Sequence, residues 1–156
     1  MRQEAEAYTR LMDSEGIRHD DIVTLNSGKF DVETRWNLED TTIAVRAIFD
    51  DEGHTVAIRC FRLAHIRGDS FDDVLKTCNE LNNRFRWVKF SIDNDNDINM
   101  EIDCIVNEDT AGEVVLELVR RLCGIADEAY PELMKIIYGC KSASSHPDEL
   151  ASDCLE

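Results

Sequence analysis

The sequence contains few of the residues that interrupt or link a chain. Its 156 residues include two prolines and seven well-separated glycines. This scarcity excludes a collagen-like or low-complexity chain, and it leaves no glycine-rich loop of the kind that cradles nucleotide phosphates. The nucleophile elbow G-x-S-x-G and the zinc-binding H-E-x-x-H are also absent. Sequence motifs therefore identify no catalytic residue, and no cofactor is expected.

Basic residues are scarce as well, and apolar residues never form a long run. Lys and Arg number 17 against 33 Asp and Glu, which gives a formal net charge of −16. A field of this sign repels phosphate backbones and anionic lipids, so we expect neither nucleic acid nor a membrane surface as a partner. No stretch approaches the roughly 18 apolar residues of a membrane span, and the start of the chain lacks the apolar centre of a signal peptide. We therefore expect a cytoplasmic protein.

The six cysteines lie too far apart to form a familiar metal site. Zinc knuckles need cysteine pairs about two to four residues apart, and the sequence has no such pair. Four of the six fall in apolar patterns and are interpreted as small buried hydrophobic residues: Cys60, Cys78, Cys104 and Cys123. A less favoured alternative is a loose metal or redox site formed by Cys140, His146 and Cys154, whose spacing matches no known ligand pattern.

Hydrophobic patterning indicates a packed α+β protein. Apolar residues make up 43% of the chain and charged residues 32%, a balance typical of globular domains. Apolar residues recur at helical intervals in three segments, residues 2–15, 70–85 and 110–137. They alternate with polar residues in five segments, residues 29–36, 42–49, 55–63, 88–92 and 98–104. The predicted order is α-β-β-β-α-β-β-α, with helices packed on a five-stranded antiparallel sheet.

Local signals predict where the helices begin and where the last one is disturbed. Ser70 with Asp73, and Thr110 with Glu113, have the spacing of capping boxes, in which each side chain bonds a free backbone N–H of the first helical turn. Pro131 lacks a backbone donor, so we expect the last helix to kink or break just before it.

The composition changes near the end of the chain. Residues 140–156 include several serines, a proline and four acidic residues, with too little apolar surface to order themselves. We therefore predict a single domain in residues 1–139, followed by a flexible acidic tail in residues 140–156.

The run of alternating carboxylates in residues 93–97 resembles the opening of a calcium loop. Such a loop needs glycine at its sixth position and a bidentate glutamate at its twelfth, and here these positions hold Ile98 and Cys104. Both residues fit the apolar alternation of the last predicted strand. The run is therefore interpreted as a hairpin turn, and no metal is expected there.

The second and third predicted strands carry apolar residues on both faces. One face is strongly apolar and is expected to form the core, with Ile43, Val45, Ala47, Phe49, Val56, Ile58 and Cys60. The opposite face mixes arginine with apolar side chains, a composition enriched at protein interfaces. Its members are the candidate partner-binding residues Arg46, Ile48, Arg59, Phe61 and Leu63. The alternative is that a helix of the same chain covers this face, and periodicity does not choose between the two.

Several short motifs lie between Phe71 and Lys135. They are the helical run Cys78-Asn79-Glu80-Leu81-Asn82-Asn83-Arg84-Phe85, the adjoining Trp87-Val88-Lys89-Phe90, the acidic hairpin and the late Ala129-Tyr130-Pro131. Together they resemble the YbjN family, bacterial proteins labelled sensory transduction regulators and linked to the fold of type III secretion chaperones. The asparagines Asn79, Asn82 and Asn83 are interpreted structurally, because amides near a helix end can bond free carbonyls or stop the helix.

The resemblance implies a non-enzymatic protein-interaction module, chaperone-like or regulatory, that binds a protein or peptide client. It also implies a homodimer, because the chaperone relatives are often dimeric, and it implies no catalytic residues. The alternative is a small enzyme with an unrecognised active site. An enzyme should show a pocket with convergent titratable groups and shifted pKa values, whereas an interaction module should show a broad apolar patch.

Overall fold

Three helices and six strands make up the part of the chain that the computed structural model describes, residues 1–139. The helices are α1 (Arg2–Ser14), α2 (Phe71–Arg84) and α3 (Ala111–Tyr138). The strands are β1 (Val23–Thr24), β2 (Phe30–Asn37), β3 (Thr42–Asp50), β4 (Thr55–His65), β5 (Lys89–Ile92) and β6 (Asp97–Ile105). The predicted α+β class and order are confirmed, except that the sheet has six strands rather than five. The extra strand is the two-residue β1, too short to show an alternating pattern.

The predicted tail, residues 140–156, lies outside the described residues. The loose site considered at Cys140, His146 and Cys154 lies outside them too.

The six strands form one antiparallel sheet in the order β1-β2-β3-β4-β6-β5. The strands β2, β3 and β4 follow one another as a meander. A 3-10 turn at Glu52–His54 joins β3 to β4, and Gly53 adopts the left-handed conformation there at φ 72°. The acidic residues 93–97 turn β5 back onto β6, so the prediction of a second hairpin is confirmed.

All three helices pack against the same face of the sheet. The seven residues predicted to face the core are buried, and they join side chains of all three helices in one apolar cluster. Large, fully buried members from different elements include Tyr8, Phe49, Ile58, Leu81, Met100 and Leu122. The rings of Tyr8 and Phe49 lie 6.0 Å apart, between α1 and β3. Within residues 1–139, no helix covers the opposite face of the sheet.

The sequence predicts a kink or a break before Pro131, and the break does not occur, because helix α3 runs continuously through this residue. Buried residues on both sides of it, Ala129 and Leu133, face the apolar cluster. Their burial keeps both halves of the helix packed against the apolar cluster, which outweighs the loss of one backbone hydrogen bond.

The predicted capping boxes mark the correct starts of α2 and α3, but the predicted side-chain hydrogen bonds to the helix backbone do not form. Ser70 and Thr110 are the N-cap residues of α2 and α3, yet neither side chain bonds the backbone of the helix it starts. Ser70 Oγ donates instead to the Arg67 carbonyl at 2.8 Å, and Thr110 Oγ1 donates to Asn107 Oδ1 at 2.9 Å. Both hydroxyls therefore stabilise the preceding turn, as short polar side chains often do.

A bulge interrupts β4 and changes the placement of Leu63. Between Cys60 and Ala64 the register with β6 shifts, and Arg62 adopts a left-handed conformation at φ 56°. Strict alternation, which would put Leu63 on the same face as Arg59, fails at such a bulge. Leu63 is only 6% exposed and belongs to the buried apolar cluster, so its predicted position on the partner-binding face is wrong.

Candidate interaction surface

The outward face of strands β2 to β6, opposite the helices, is called the helix-free face below. The register places four of the five candidate partner-binding residues on it, namely Arg46, Ile48, Arg59 and Phe61. Arg46 and Arg59 are directly paired across β3 and β4. Phe61 is half exposed, and the Arg46 guanidinium lies 5.8 Å from the centre of its ring. The structure therefore brings these four residues together and leaves out Leu63.

Asp31 on β2 binds Arg46. Arg46 Nε donates to Asp31 Oδ2 at 2.9 Å, and its Nη2 makes a second, shorter contact with the same oxygen. The hydrogen bonds to Asp31 raise the pKa of the Arg46 guanidinium above its ordinary value. The other oxygen, Asp31 Oδ1, is buried and has no hydrogen-bond partner among the described residues. Arg46 is therefore a tethered cation rather than a mobile charge.

Arg59 is tethered in the same way on the other side of the face. Its Nη1 donates to the Ile102 carbonyl of β6 at 2.9 Å and to the carbonyl of the preceding residue, Ile58, at 3.0 Å. Its Nη2 donates to Asp103 Oδ1 on β6 at 2.7 Å. Only 18% of the Arg59 side chain is exposed. Neither central arginine is thus free to take up a distant anion.

The helix-free face is nearly charge-balanced, although the chain is strongly acidic. Its strands carry the carboxylates Asp31, Glu33, Asp50, Asp97, Glu101 and Asp103 and the basic side chains Arg35, Arg46, Arg59, Arg62 and Lys89, and its margin adds one base, Lys29, and one acid, Asp93. Five of the carboxylates form ion pairs with five of these bases. Glu101 instead accepts a hydrogen bond from Ser91 and lies between Arg59 and Lys89 in the register. The −16 charge of the chain therefore resides mostly elsewhere.

Sequence reasoning missed the acidic partners of this face and several of its apolar members. Asp31 and Asp103 bond the two central arginines from diagonal positions, whereas the register sets Glu33 and Glu101 directly opposite those arginines. Ile105 at the end of β6 is 77% exposed on the same face. Alternation along each strand gives the face of these residues outside the β4 bulge, but it could not give the pairing across strands.

The outer edge of the sheet at β5 is closed by a side chain of α2. Asn82 Nδ2 donates to the Phe90 carbonyl at 3.0 Å, and the Phe90 N–H donates to Asn82 Oδ1 at 2.7 Å. The amide thus makes the pair of bonds that another strand would make. Asn82 therefore has a structural role, as the interpretation of the asparagine motif predicted, and its amide bonds the backbone of the edge strand β5.

The acidic turn uses its first carboxylate to hold its own backbone. Asp93 Oδ1 accepts the N–H groups of Asp95 and Asp97 at 3.0 and 2.9 Å, and its Oδ2 accepts the Asn99 amide at 3.0 Å. The Asn99 bond and the Asp97 N–H hold the pKa of Asp93 below its usual range. Within residues 1–139, no group of three or more acidic, His or Cys side chains has an arrangement that could hold a metal ion.

The described cysteines are not activated. Burial raises the pKa of Cys60 and Cys123 to about 12 and that of Cys78 and Cys104 to about 11. The thiolate is the nucleophilic and metal-binding form, so these four side chains stay protonated at neutral pH. Three are buried and Cys104 is half-buried, which agrees with their interpretation as small hydrophobic residues.

These features define an α+β protein in which one layer of helices covers one face of an antiparallel sheet and leaves a nearly charge-balanced face open. A model of the YbjN family, described as “Putative bacterial sensory transduction regulator”, matches residues 9–134. The chain therefore belongs to the YbjN family. No curated protein matches the chain. No helix in residues 1–139 has the length and apolarity needed to cross a membrane.

Proposed function

We propose that this chain is a cytoplasmic, non-enzymatic regulatory protein, chaperone-like in its action, that binds a protein or peptide partner with its helix-free face. In this proposal Ile48 and Phe61 supply the apolar contacts, and Arg46 and Arg59 supply the oriented guanidinium groups. The regulatory description of the family supports a role in protein interaction.

The composition of the helix-free face carries the proposal. A face that met only water would be expected to carry polar residues on its outward positions. Here Phe61 and Ile105 are at least half exposed, and the tethered Arg46 lies in the row between Phe61 and Ile48. Arginine and aromatic residues with little net charge around them are typical of the centre of protein interfaces. The nearly balanced charge also lets a partner approach a chain that is otherwise strongly acidic.

The alternative of a small enzyme finds its best support at the bulge in β4. His65 Nδ1 lies 2.7 Å from Asp97 Oδ1, a geometry that orients a histidine base in many enzymes. However, Arg62 Nε donates to Asp97 Oδ2 at 2.6 Å, and Asn99 Oδ1 accepts the Arg62 N–H at 2.9 Å. These bonds favour a role in holding the bulge, because Asp97 fixes the Arg62 side chain and Asn99 fixes the Arg62 backbone.

One depression outside this region lies between α2 and the end of α3. Its volume is about 600 Å³, and acidic and basic side chains alternate around it, including Arg67, Asp69, Asp73, Lys76, Glu80 and Lys135. Such a mixed, charged lining differs from the mainly apolar pocket with a few convergent polar groups that small-molecule sites show. It therefore supports the interaction module over the enzyme.

Photo-crosslinking in cells tests the proposal. The photoreactive amino acid p-benzoylphenylalanine would replace Phe61 on the helix-free face or, as a matched control, Leu75 on α2, since both side chains are 50% exposed. The proposal predicts a discrete protein adduct from position 61 and none of comparable yield from position 75. Equal labelling from the two positions, or none from position 61, would contradict it.

A further inference from the structure

Large and small apolar residues alternate at the centre of the helix-free face. Ile48 on β3 pairs directly with Ala57 on β4. The direct pairing of β3 with β4 ends at Arg46 and Arg59. Ala44 lies two residues before Arg46 on β3, and Phe61 lies two residues after Arg59 on β4. The four side chains thus mark the corners of a rectangle, with large residues on one diagonal and small residues on the other. Arg46 and Arg59 lie in the row between them.

This arrangement is complementary to itself. If a second copy is stacked face to face about a two-fold axis parallel to the strands, β3 of one copy lies over β4 of the other. Ile48 then meets Ala57 of the second copy, and Phe61 meets its Ala44. If the two-fold axis instead runs perpendicular to the strands, Ile48 meets Ala44 of the second copy and Phe61 meets its Ala57. Each large residue again lies over a small one. Stacked sheets lie about 10 Å apart, so such large-on-small contacts allow their side chains to interdigitate.

The charges of the face permit the same stacking. The central arginines of two copies would come near each other, but each is already neutralised within its own sheet, Arg46 by Asp31 and Arg59 by Asp103. At other surfaces two chains of charge −16 repel each other at long range. On the helix-free face most charges are paired within the sheet, so this face repels a second acidic copy less than a surface of unpaired carboxylates would.

The edges of the sheet offer a poor route to self-association. At the β5 edge, the Asn82 amide takes both backbone groups of Phe90. At the other edge, β1 is only two residues long, and His19 forms a bridge to Thr34 of β2 beyond it. Short and covered edges resist pairing with another chain, which leaves the face rather than the edge for contact.

We infer that the partner of the helix-free face is a second copy of this chain, packed sheet against sheet about a two-fold axis with Ile48 and Phe61 seated on alanines of the second copy. This inference rests on the proposed function and specifies its partner.

Sedimentation velocity of the full chain over a wide concentration range tests the inference. We expect a species of twice the 17.8 kDa chain mass. Ala57→Trp overfills a small corner and should raise the dimer dissociation constant about tenfold or more, because buried interface anchors contribute most of the binding energy. Leu75→Trp on the exposed side of α2 is the control and should dimerise like the unmodified chain. Circular dichroism reports folding, and if Ala57→Trp is unfolded, Phe61→Glu takes its place.

A chain that stays at 17.8 kDa at every concentration would overturn the inference, as would a folded Ala57→Trp variant that dimerises normally. The crosslinking experiment separates this failure from failure of the proposed function. A monomeric chain whose position 61 crosslinks to another protein would refute self-association alone. A monomeric chain with no adduct at position 61 would refute both.

Discussion

Asn82 and Phe90 are joined by two hydrogen bonds, one in each direction, between a side-chain amide and a strand backbone. The pair ties the end of α2 to the outer edge of β5. It satisfies a backbone donor and acceptor that would otherwise face out from the last strand of the sheet. A single side chain therefore both fixes the position of a helix and ends the sheet.

Replacing Asn82 by alanine should destabilise the protein by about 1–3 kcal/mol, because the backbone groups of the well-buried Phe90 lose their partners. Urea unfolding followed by circular dichroism measures the change. Asn83→Ala is the matched control, since Asn83 is an exposed neighbour on the same helix. The account of the β5 edge is wrong if the two variants unfold at the same urea concentration.

Two glycines of α3 should respond in opposite ways to substitution. A Cβ at Gly112 would lie 3.0 Å from the Ala7 carbonyl oxygen of α1, whereas a Cβ at Gly124 would meet no atom within 4 Å. Gly112→Val should therefore cost about 1–3 kcal/mol by forcing α1 and α3 apart. Gly124→Ala should stabilise by roughly 0.5–1 kcal/mol, because alanine loses less backbone entropy in a helix. Thermal unfolding of both variants checks the signs, and a neutral Gly112→Val would refute the close packing of the two helices.

The stability of the β4 bulge should depend on pH through Asp97. The bond from Arg62, with a further one from His65, holds the pKa of Asp97 below its usual value of 3.8. The folded chain thus binds this proton more weakly than the unfolded chain, so the stabilisation is present above about pH 4 and is lost as the pH falls through the lowered pKa.

Asp97→Asn should therefore destabilise the protein at pH 7, and its stability gap to the unmodified chain should be smaller at about pH 3. The measurement is urea unfolding at both pH values, with Asp95→Asn, an exposed carboxylate of the same turn, as the control. A stability gap between Asp97→Asn and the unmodified chain that is equally wide at both pH values would show that the Asp97 charge plays no part.

Much of the fold could be predicted because most elements are long enough to show a period. The five predicted strands have bounds within two residues of the observed ones, since each has one buried and one outward set of side chains. The two-residue β1 has no such period. Pro131 was misjudged because burial along α3 outweighs the loss of one hydrogen bond.

The candidate surface could be predicted only in part. Alternation separates Arg46 and Ile48 from the core residues of β3, but it does not tell which face the helices choose. That choice depends on how all three helices pack, a tertiary property. Leu63 was misplaced because Arg62 adopts a left-handed conformation within a bulge, and nothing in the local sequence marks it.

Residues 1–139 are proposed as the complete folding unit, with residues 140–156 dispensable for stability. The proposal rests on the polar composition of the last segment, which lacks an apolar period. Removing residues 140–156 should leave the melting temperature nearly unchanged by differential scanning calorimetry. A fall of several degrees would show that the segment contributes to the folded core.

Affinity capture with a face-directed double variant tests the central claim most directly. Ile48→Lys combined with Phe61→Glu alters the helix-free face, and Phe71→Lys combined with Leu75→Glu alters exposed apolar residues of α2 as the control. Circular dichroism first establishes that both variants are folded. We predict that the first variant loses the captured protein, a tagged second copy included, about tenfold or more, while the control keeps it. Equal capture by the two folded variants would contradict the claim that this face binds a partner.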